Sequence, residues 1–331
     1  MFKIAIIGSG YIAKQHAEVI SKFKDAKLVA IINPNPRNAK KIADQFACNY
    51  YSDLAGAFAA EKMDVVDICV PTYLHEEYVV EAADLGCHVL CEKPVALSID
   101  SYDRMVKACA DGNVRFMVAQ VARWWPEFVT IKEYLQNNQL GNLRMIYEKR
   151  LCQLPDWSNW HSDPEKSGGG LYDLNIHDID FLMSVFGKPD TVYAVGWQTE
   201  REAWMHVATS LAWNTGLKAV VETSLQMEGD WPFSVEFRAT GSEGTLHYEF
   251  TAGVNILDAE PTSRFTMYPK DSDAMEPSVP AIDMFESEIR EFLDSIKEER
   301  EASVTIAQVR EVLQVIEATQ KSLETGEVIK L

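Results

Sequence analysis

Phe2-Lys3-Ile4-Ala5-Ile6-Ile7 runs without a break into Gly8-Ser9-Gly10-Tyr11-Ile12-Ala13, and these residues decide how the rest of the chain is read. An apolar, β-branched run that ends in glycines and passes into a helical period describes a strand, a tight turn and a helix. The period is explicit, because Ile12, His16, Val19, Ile20 and Phe23 share one helical face. In that setting Gly8 permits the turn, Gly10 lets backbone amides approach a pyrophosphate, and small Ala13 allows close packing of helix on strand. The helix amino terminus then favours an anion. Gly8, Ser9, Gly10, Tyr11 and Ile12 are the candidate dinucleotide contacts; a plain strand-to-helix turn is the other reading.

Outward from this motif, residues 28–32, 65–70, 88–91 and 114–118 form further compact apolar runs, with helical patterns between them. Strands joined by crossover helices make a parallel sheet buried on both faces. Ligands in such sheets sit at the carboxyl ends of the strands. Four groups of residues fall there: Asn33 followed by Arg37, Lys40 and Lys41; Val70-Pro71-Thr72 with His75; Glu92-Lys93-Pro94; and Gln120. An acidic residue at position 33 would bind the adenosine ribose and disfavour a 2′-phosphate. Asn33 binds a hydroxyl without repelling phosphate, so the cofactor is NAD or NADP. The basic residues after it read equally as an exposed helix face. His75 reads either as a cofactor contact or as the first-turn residue of a helix.

After Arg123-Trp124-Trp125-Pro126 the texture changes. A helical pattern at 128–135 and the glycine-rich run are followed by period-two segments at 191–198, 206–213, 218–226 and 233–240, too closely spaced for crossover helices. The expected fold is therefore α/β: an N-terminal doubly wound parallel sheet over residues 1–121, then an α+β domain over 122–331 with a mainly antiparallel open sheet. Residues 252–281, with Pro261, Pro269, Pro277 and Pro280, read as an irregular excursion. Two helices close the chain, the second opened by a Thr305/Gln308 capping box and stopped at Gly326.

The 331 residues carry 31 basic and 50 acidic side chains, a formal charge of -19. Such a surface repels phosphate backbones and anionic lipid, so neither nucleic acid nor membrane is expected as a partner. Cys69, Cys87 and Cys91 lie in or beside apolar runs, and no second pair follows Cys87/Cys91 at zinc spacing, so no metal is expected. The start of the chain reads as a strand, no apolar run approaches membrane-spanning length, and a soluble cytoplasmic protein is expected.

Gly168-Gly169-Gly170-Leu171-Tyr172-Asp173-Leu174-Asn175-Ile176-His177-Asp178 carries the second set of chemistry. On one helix Asp173, His177 and Asp180 form a stripe. Read alone, an Asp–His pair that holds a helix in place and one that catalyses are equally good accounts. Trp124, Trp125, Trp157 and Trp160 supply flat aromatics suited to sugar faces, or to a core. Arg123 reads as a cofactor or substrate contact or, equally, as half of a salt bridge between domains.

Taken in order, the Gly8/Gly10/Ala13 loop, Pro71-Thr72 with His75, Glu92-Lys93-Pro94, Arg123 and Pro126, Trp160 and Asp163 before the triple glycine, and Asp173 with His177 resemble the Gfo/Idh/MocA family of NAD(P)-dependent oxidoreductases. Asn33 departs from its common acidic residue. The resemblance implies a Rossmann domain followed by an open-sheet domain, a sugar, inositol or sugar derivative bound in the cleft between them, and a homodimer or homotetramer formed through that sheet. It implies Lys93, Asp173 and His177 as catalytic residues, with Arg123 and Trp160 beside the substrate. Oxidising an alcohol requires a group that takes the hydroxyl proton and a cation that stabilises the developing alkoxide. An imidazole titrating near ~6.5 suits the proton and an ammonium near ~10.4 suits the charge, with the reverse assignment also open. Two further functions fit the same residues: a non-catalytic dinucleotide or sugar sensor, and a redox-neutral glycosidase or lyase.

Overall fold

The computed structural model describes residues 1–154, 160–253 and 260–331. The chain divides into two compact units, Met1–Val121 with Ile282–Arg310, and Ala122–Ala281 with Glu311–Leu331.

The N-terminal part of the first unit alternates strand and helix: β1 (Phe2–Ile7), α1 (Tyr11–Lys22), β2 (Ala26–Ile32), α2 (Pro36–Gln45), β3 (Asn49–Tyr51), α3 (Leu54–Glu61), β4 (Val65–Ile68), α4 (His75–Asp84), β5 (His88–Glu92), α5 (Ile99–Asp111) and β6 (Phe116–Ala119). The six strands are parallel, in the order β3-β2-β1-β4-β5-β6. Their direction of progression reverses between β1 and β4, the position at which such sheets bind ligands. The sequence patterns reach this sheet but miss β3, whose Asn49-Tyr50-Tyr51 is too short and polar to register.

In the second unit α6 (Pro126–Gln136) leads to β7 (Met145–Leu151), α7 (Pro164–Ser167), α8 (Gly169–Asp173) and α9 (Asn175–Phe186). Five strands follow: β8 (Thr191–Gln198), β9 (Trp204–Ala212), β10 (Lys218–Ser224), β11 (Ser234–Thr240) and β12 (Gly244–Thr251). β13 (Thr262–Pro269) continues them and β14 (Ile329–Lys330) closes the far edge, in the order β13-β12-β11-β7-β10-β9-β8-β14. All described pairings are antiparallel except that of β7 with β10. β7 lies mid-sheet yet is invisible to the period-two reading. Its Glu148 and Arg150 face inward with Ile146, so the buried face is the charged one. The excursion expected at 252–281 also needs correction, because β13 lies within it and pairs along β12; residues 254–259 are outside the described residues.

Two helices complete the chain, α10 (Met284–Lys297) and α11 (Ile306–Thr325). The expectation that everything after 121 belongs to the second domain is not met, because residues 282–310 cluster with the first unit. α10 buries Phe285, Ile289, Phe292 and Leu293, each contributing roughly 1.5–3 kcal/mol by leaving water. Arg290 adds two 2.9 Å bonds to Asp25 and lies 4.1 Å from the centre of the Phe23 ring. An amphipathic period shows that a helix has a partner but not which one. α11 opens on the expected capping box, in which Gln308 N–H donates to Thr305 Oγ1 at 3.1 Å and the Thr305 N–H to Gln308 Oε1 at 3.4 Å. No helix among the described residues is long and apolar enough to cross a membrane.

Candidate functional site

In the first unit the carboxyl edge of the parallel sheet collects the expected cofactor residues. Gly8 has φ +124°, and a Cβ there would stand 2.3 Å from the Cys69 carbonyl oxygen, so only glycine fits between β1 and the end of β4. Gly10 has nothing within 4 Å of where its Cβ would be. It is the N-cap of α1, no side chain caps the helix, and no acidic residue occupies its first turn. Uncapped amides behind an open glycine fit an anionic pyrophosphate. Ser9 is half-buried, Tyr11 is exposed and Ile12 turns partly inward.

Asn33 ends β2 and builds the turn that follows, its Oδ1 accepting the Asn35 N–H at 2.8 Å. Asn35 in turn caps α2 by accepting the Arg37 N–H at 3.0 Å, which leaves the Arg37 side chain exposed. Gln120, just past β6, is 1 % exposed, and among the described residues neither its Oε1 nor its Nε2 has a hydrogen-bond partner. A buried primary amide left unmatched is costly, so it suits a ligand group that both donates and accepts.

Val70 and Pro71 line the β4 end half-buried, with Thr72 buried behind them. His75 is 1 % exposed; Nε2 lies 2.8 Å from the Val70 carbonyl and Nδ1 3.2 Å from that of Val95. Burial pushes it below the usual histidine range, although those carbonyls favour the proton. The ring lies between the β4 loop and the one following Lys93, and when neutral it donates its single N–H to only one of the two carbonyls. His75 is also the first residue of α4, as its first-turn reading expects. Glu92 and Lys93 end β5; Glu92 is buried, Lys93 half-buried, and the Lys93–Pro94 peptide is cis.

The second unit carries Arg123, Trp160, Asp173 and His177. Asp173 and His177 do not share one helix. α8 ends at Asp173, Leu174 has φ -106° and ψ -47°, and α9 begins at Asn175. The cause is the glycine run: a Cβ on Gly169 would lie 2.9 Å from the Trp204 carbonyl oxygen, and one on Gly170 2.6 Å from that of Met205. The backbone of α8 therefore rests directly on β9. Asn175, fully buried, then donates to Thr223 Oγ1 at 3.1 Å and accepts from Thr209 at 3.4 Å, anchoring the restart. His177 lies in the first turn of α9; both it and Asp173 are half-buried.

Arg123 is not free to serve a substrate with its fork. Nε and Nη2 each donate to Asp180 at 2.7 Å, with the guanidinium side chain 8 % exposed and Asp180 fully buried. The salt bridge is present but lies within the second unit, not between domains, and Asp180 anchors α9. Sequence reasoning missed a parallel pair: Arg150 Nη2 donates to Asp178 Oδ1 at 2.6 Å, and its Nε lies 3.1 Å from both carboxylate oxygens. Burial opposes the Arg150 charge, but Asp178 and Glu148 hold it above the usual arginine range. Glu148 is pushed well above the carboxylate range by burial and by Asp178. Asp178 directly follows His177, so acidic residues flanking the histidine were the one visible signal. Trp160 stacks on His161 at 3.9 Å, Trp125 packs edge-on against Phe250 at 5.3 Å, and Trp157 lies outside the described residues. Cys87 and Cys91 are buried free thiols.

Comparison with known proteins agrees with this layout. Residues 2–120 match an oxidoreductase family model described as an NAD-binding Rossmann fold, and residues 128–247 match the GFO/IDH/MocA C-terminal domain. A 2,7-anhydro-N-acetylneuraminate hydratase of Mediterraneibacter gnavus is 33% identical over 198 residues, 58% of this chain and 51% of that protein. The match thus spans about half the length of that relative. A D-xylose 1-dehydrogenase (NADP(+)) of Haloferax volcanii is 26% identical over 98% of both chains. The aldose-aldose oxidoreductase of Caulobacter crescentus superposes with a TM-score of 0.86 at 21% identity, covering 100% of this chain and 99% of that one.

Proposed function

Because this chain belongs to the Gfo/Idh/MocA oxidoreductase family, we propose that it transfers hydride between NAD or NADP and a hydroxyl-bearing carbon of a sugar, inositol or sugar derivative. The observation that carries the reading is Lys93 at the carboxyl end of β5, in the same sheet as the uncapped glycine cradle of α1. The loop amides after Gly8, with Asn33 and Gln120, would hold the dinucleotide. When bound, it supplies the hydride acceptor or donor. The Lys93 ammonium stabilises the substrate oxygen as its proton leaves, and His177 Nε2 or Nδ1 takes that proton. Asp173 orients the substrate hydroxyls or His177. The two buried arginine–aspartate pairs hold α9, and with it His177, in one place.

Lys93→Met and His177→Asn should each lower kcat by about 100-fold or more while NADH binding, followed by fluorescence, stays intact. Full turnover in both variants on a panel of polyols and aldoses would end the assignment. Cofactor choice turns on Asn33. Introducing a carboxylate with Asn33→Asp should cut kcat/KM for NADP relative to NAD by at least about tenfold, near 1.4 kcal/mol, in paired assays. The hydratase name of one relative favours a second reading, in which the same residues run a redox-neutral reaction. Accumulation of reduced cofactor in the panel assay separates the two. The exposed Tyr193, Val195 and Trp197 on β8 support pairing of subunits through the open sheet, as a homodimer or homotetramer.

A further inference from the structure

The first unit buries a polar cluster next to Lys93 that the proposed chemistry does not use. His16 on α1 is fully buried, and its Nδ1 lies 2.8 Å from Asp67 Oδ2 on β4. Its Nε2 lies 3.5 Å from Glu92 Oε1. The other oxygen of the same carboxyl, Oε2, accepts the backbone N–H of Lys93 at 3.1 Å. The remaining neighbours come from two sides. Cys69 Sγ is 3.7 Å from Nδ1, and α10 contributes the Phe285 ring, edge-on at 5.5 Å, and a Glu288 carboxylate oxygen within 4.8 Å of the His16 and Glu92 ligand atoms. Asp283, the N-cap of α10, adds a further negative charge felt by the imidazole.

A proton must lie between Nδ1 and Asp67 Oδ2, because two acceptors cannot face each other at hydrogen-bond distance, and the Asp67 charge favours it on Nδ1. Nε2 then poses a choice. If it is bare and Glu92 is ionised, two lone pairs face each other out of water, and among the described residues neither Nε2 nor Glu92 Oε1 has a hydrogen-bond partner. Buried acceptors in that state are costly, and a proton on Nε2 donated toward Glu92 Oε1 removes the conflict, the side on which the Asp67 and Asp283 charges favour it.

We infer that His16 and Glu92 share one proton, and that through it His16 acts as a positioning residue, fixing the carboxyl that holds the Lys93 backbone. The titration tendencies agree. Burial raises Glu92, while for His16 burial is outweighed by the charge and hydrogen bond of Asp67 and by the charges of Glu92 and Asp283. Both tendencies favour a proton held between the two groups. The link runs from the helix behind the glycine cradle to the backbone of the lysine. Its importance for turnover rests on the proposed role of Lys93; its existence does not.

The test uses the full-length chain with isotope-labelled histidine, treated with a chelator, in NMR at about pH 8, where an ordinary histidine is neutral. Both His16 ring nitrogens should bear protons, the assignment being made by loss of the signals in His16→Gln. In Glu92→Gln the side-chain amide can itself donate to Nε2, so that nitrogen should change to the unprotonated type. Independently of any substrate, the Lys93 amide should exchange at least about tenfold faster in His16→Gln than in the parent protein. With a substrate from the panel, His16→Gln should lower kcat while leaving KM for the nicotinamide cofactor within about twofold. An unprotonated Nε2 in the parent chain would overturn the shared proton, as would a stoichiometric divalent metal found before chelation. Unchanged Lys93 exchange or unchanged kcat in His16→Gln would overturn the positioning role. Failure to find any substrate would count against the oxidoreductase reading alone, since the ring-nitrogen and exchange results stand without it.

Discussion

Each unit buries two carboxylates on cations, at least one of them beside a proposed catalytic side chain in sequence, and those cations differ. Asp178 and Asp180, flanking His177 on α9, are gripped by Arg150 and Arg123 with the fork geometry of guanidinium on carboxylate. Asp67 and Glu92, the latter adjoining Lys93, face a single imidazole. Arginine keeps its charge at every pH a protein survives, whereas the charge of a histidine is conditional. The helix carrying His177 is thus locked by a fixed electrostatic device and the β5 end by a titratable one. Pairs of this kind contribute less by attraction than by the penalty of losing one partner, since an isolated buried charge has neither water nor counter-ion.

The largest effect expected from this contrast is that of Arg150→Met. It strands Asp178, 1 % exposed, and should cost about 3–5 kcal/mol in urea melts, with kcat falling as α9 loosens. A loss below about 1 kcal/mol would mean that the pair is dispensable.

Asp67→Asn probes the titratable lock. The folded His16 titrates above its usual range, so its contribution to stability is complete below its unfolded value near ~6.5 and fades as pH rises through the elevated folded value. The stability gap between the parent protein and Asp67→Asn should therefore be widest near pH ~6 and narrow toward alkaline pH, while the gap to Arg150→Met shows no such decline.

The smallest effect is expected of Glu148→Gln. The folded Glu148 binds its proton more tightly than the unfolded chain does, so the parent protein loses stability as pH rises from the unfolded value near ~4.3. Near pH ~5 the substitution should be neutral within about 1 kcal/mol, and near pH ~8 the variant should be the more stable protein. A strongly destabilised variant at both would show that the carboxyl is held ionised.

How much of this could be read from residues alone follows the same division. The Rossmann half announced itself because its strands are apolar on both faces and Gly8 and Gly10 stand where a strand meets a helix. The period-two strands of the other half were legible from β8 to β11. What escaped was polarity facing inward. β7 hides Glu148 and Arg150 in the core, and His16 had been counted only as one more residue on a buried helical face. Asp173 and His177 were legible as candidates, yet the stripe assumed one helix, whereas α8 and α9 part at Leu174 where the glycine run lies against β9. Arg123 and His75 were placed correctly at the edges of their units. Their pairing with Asp180 and with the Val70 and Val95 carbonyls required coordinates.

The return of residues 282–310 to the first unit has a consequence for how the protein is made. All six strands of the parallel sheet have been synthesised before residues 122–281 are translated, but Phe285 and Glu288, which close over His16, follow only afterwards. A nascent chain at that stage holds a nearly finished nucleotide domain with an apolar stripe and a polar cluster open to water. Its maturation waits on residues 282–310, so premature termination before them should yield a sticky, chaperone-bound intermediate, not a functional half.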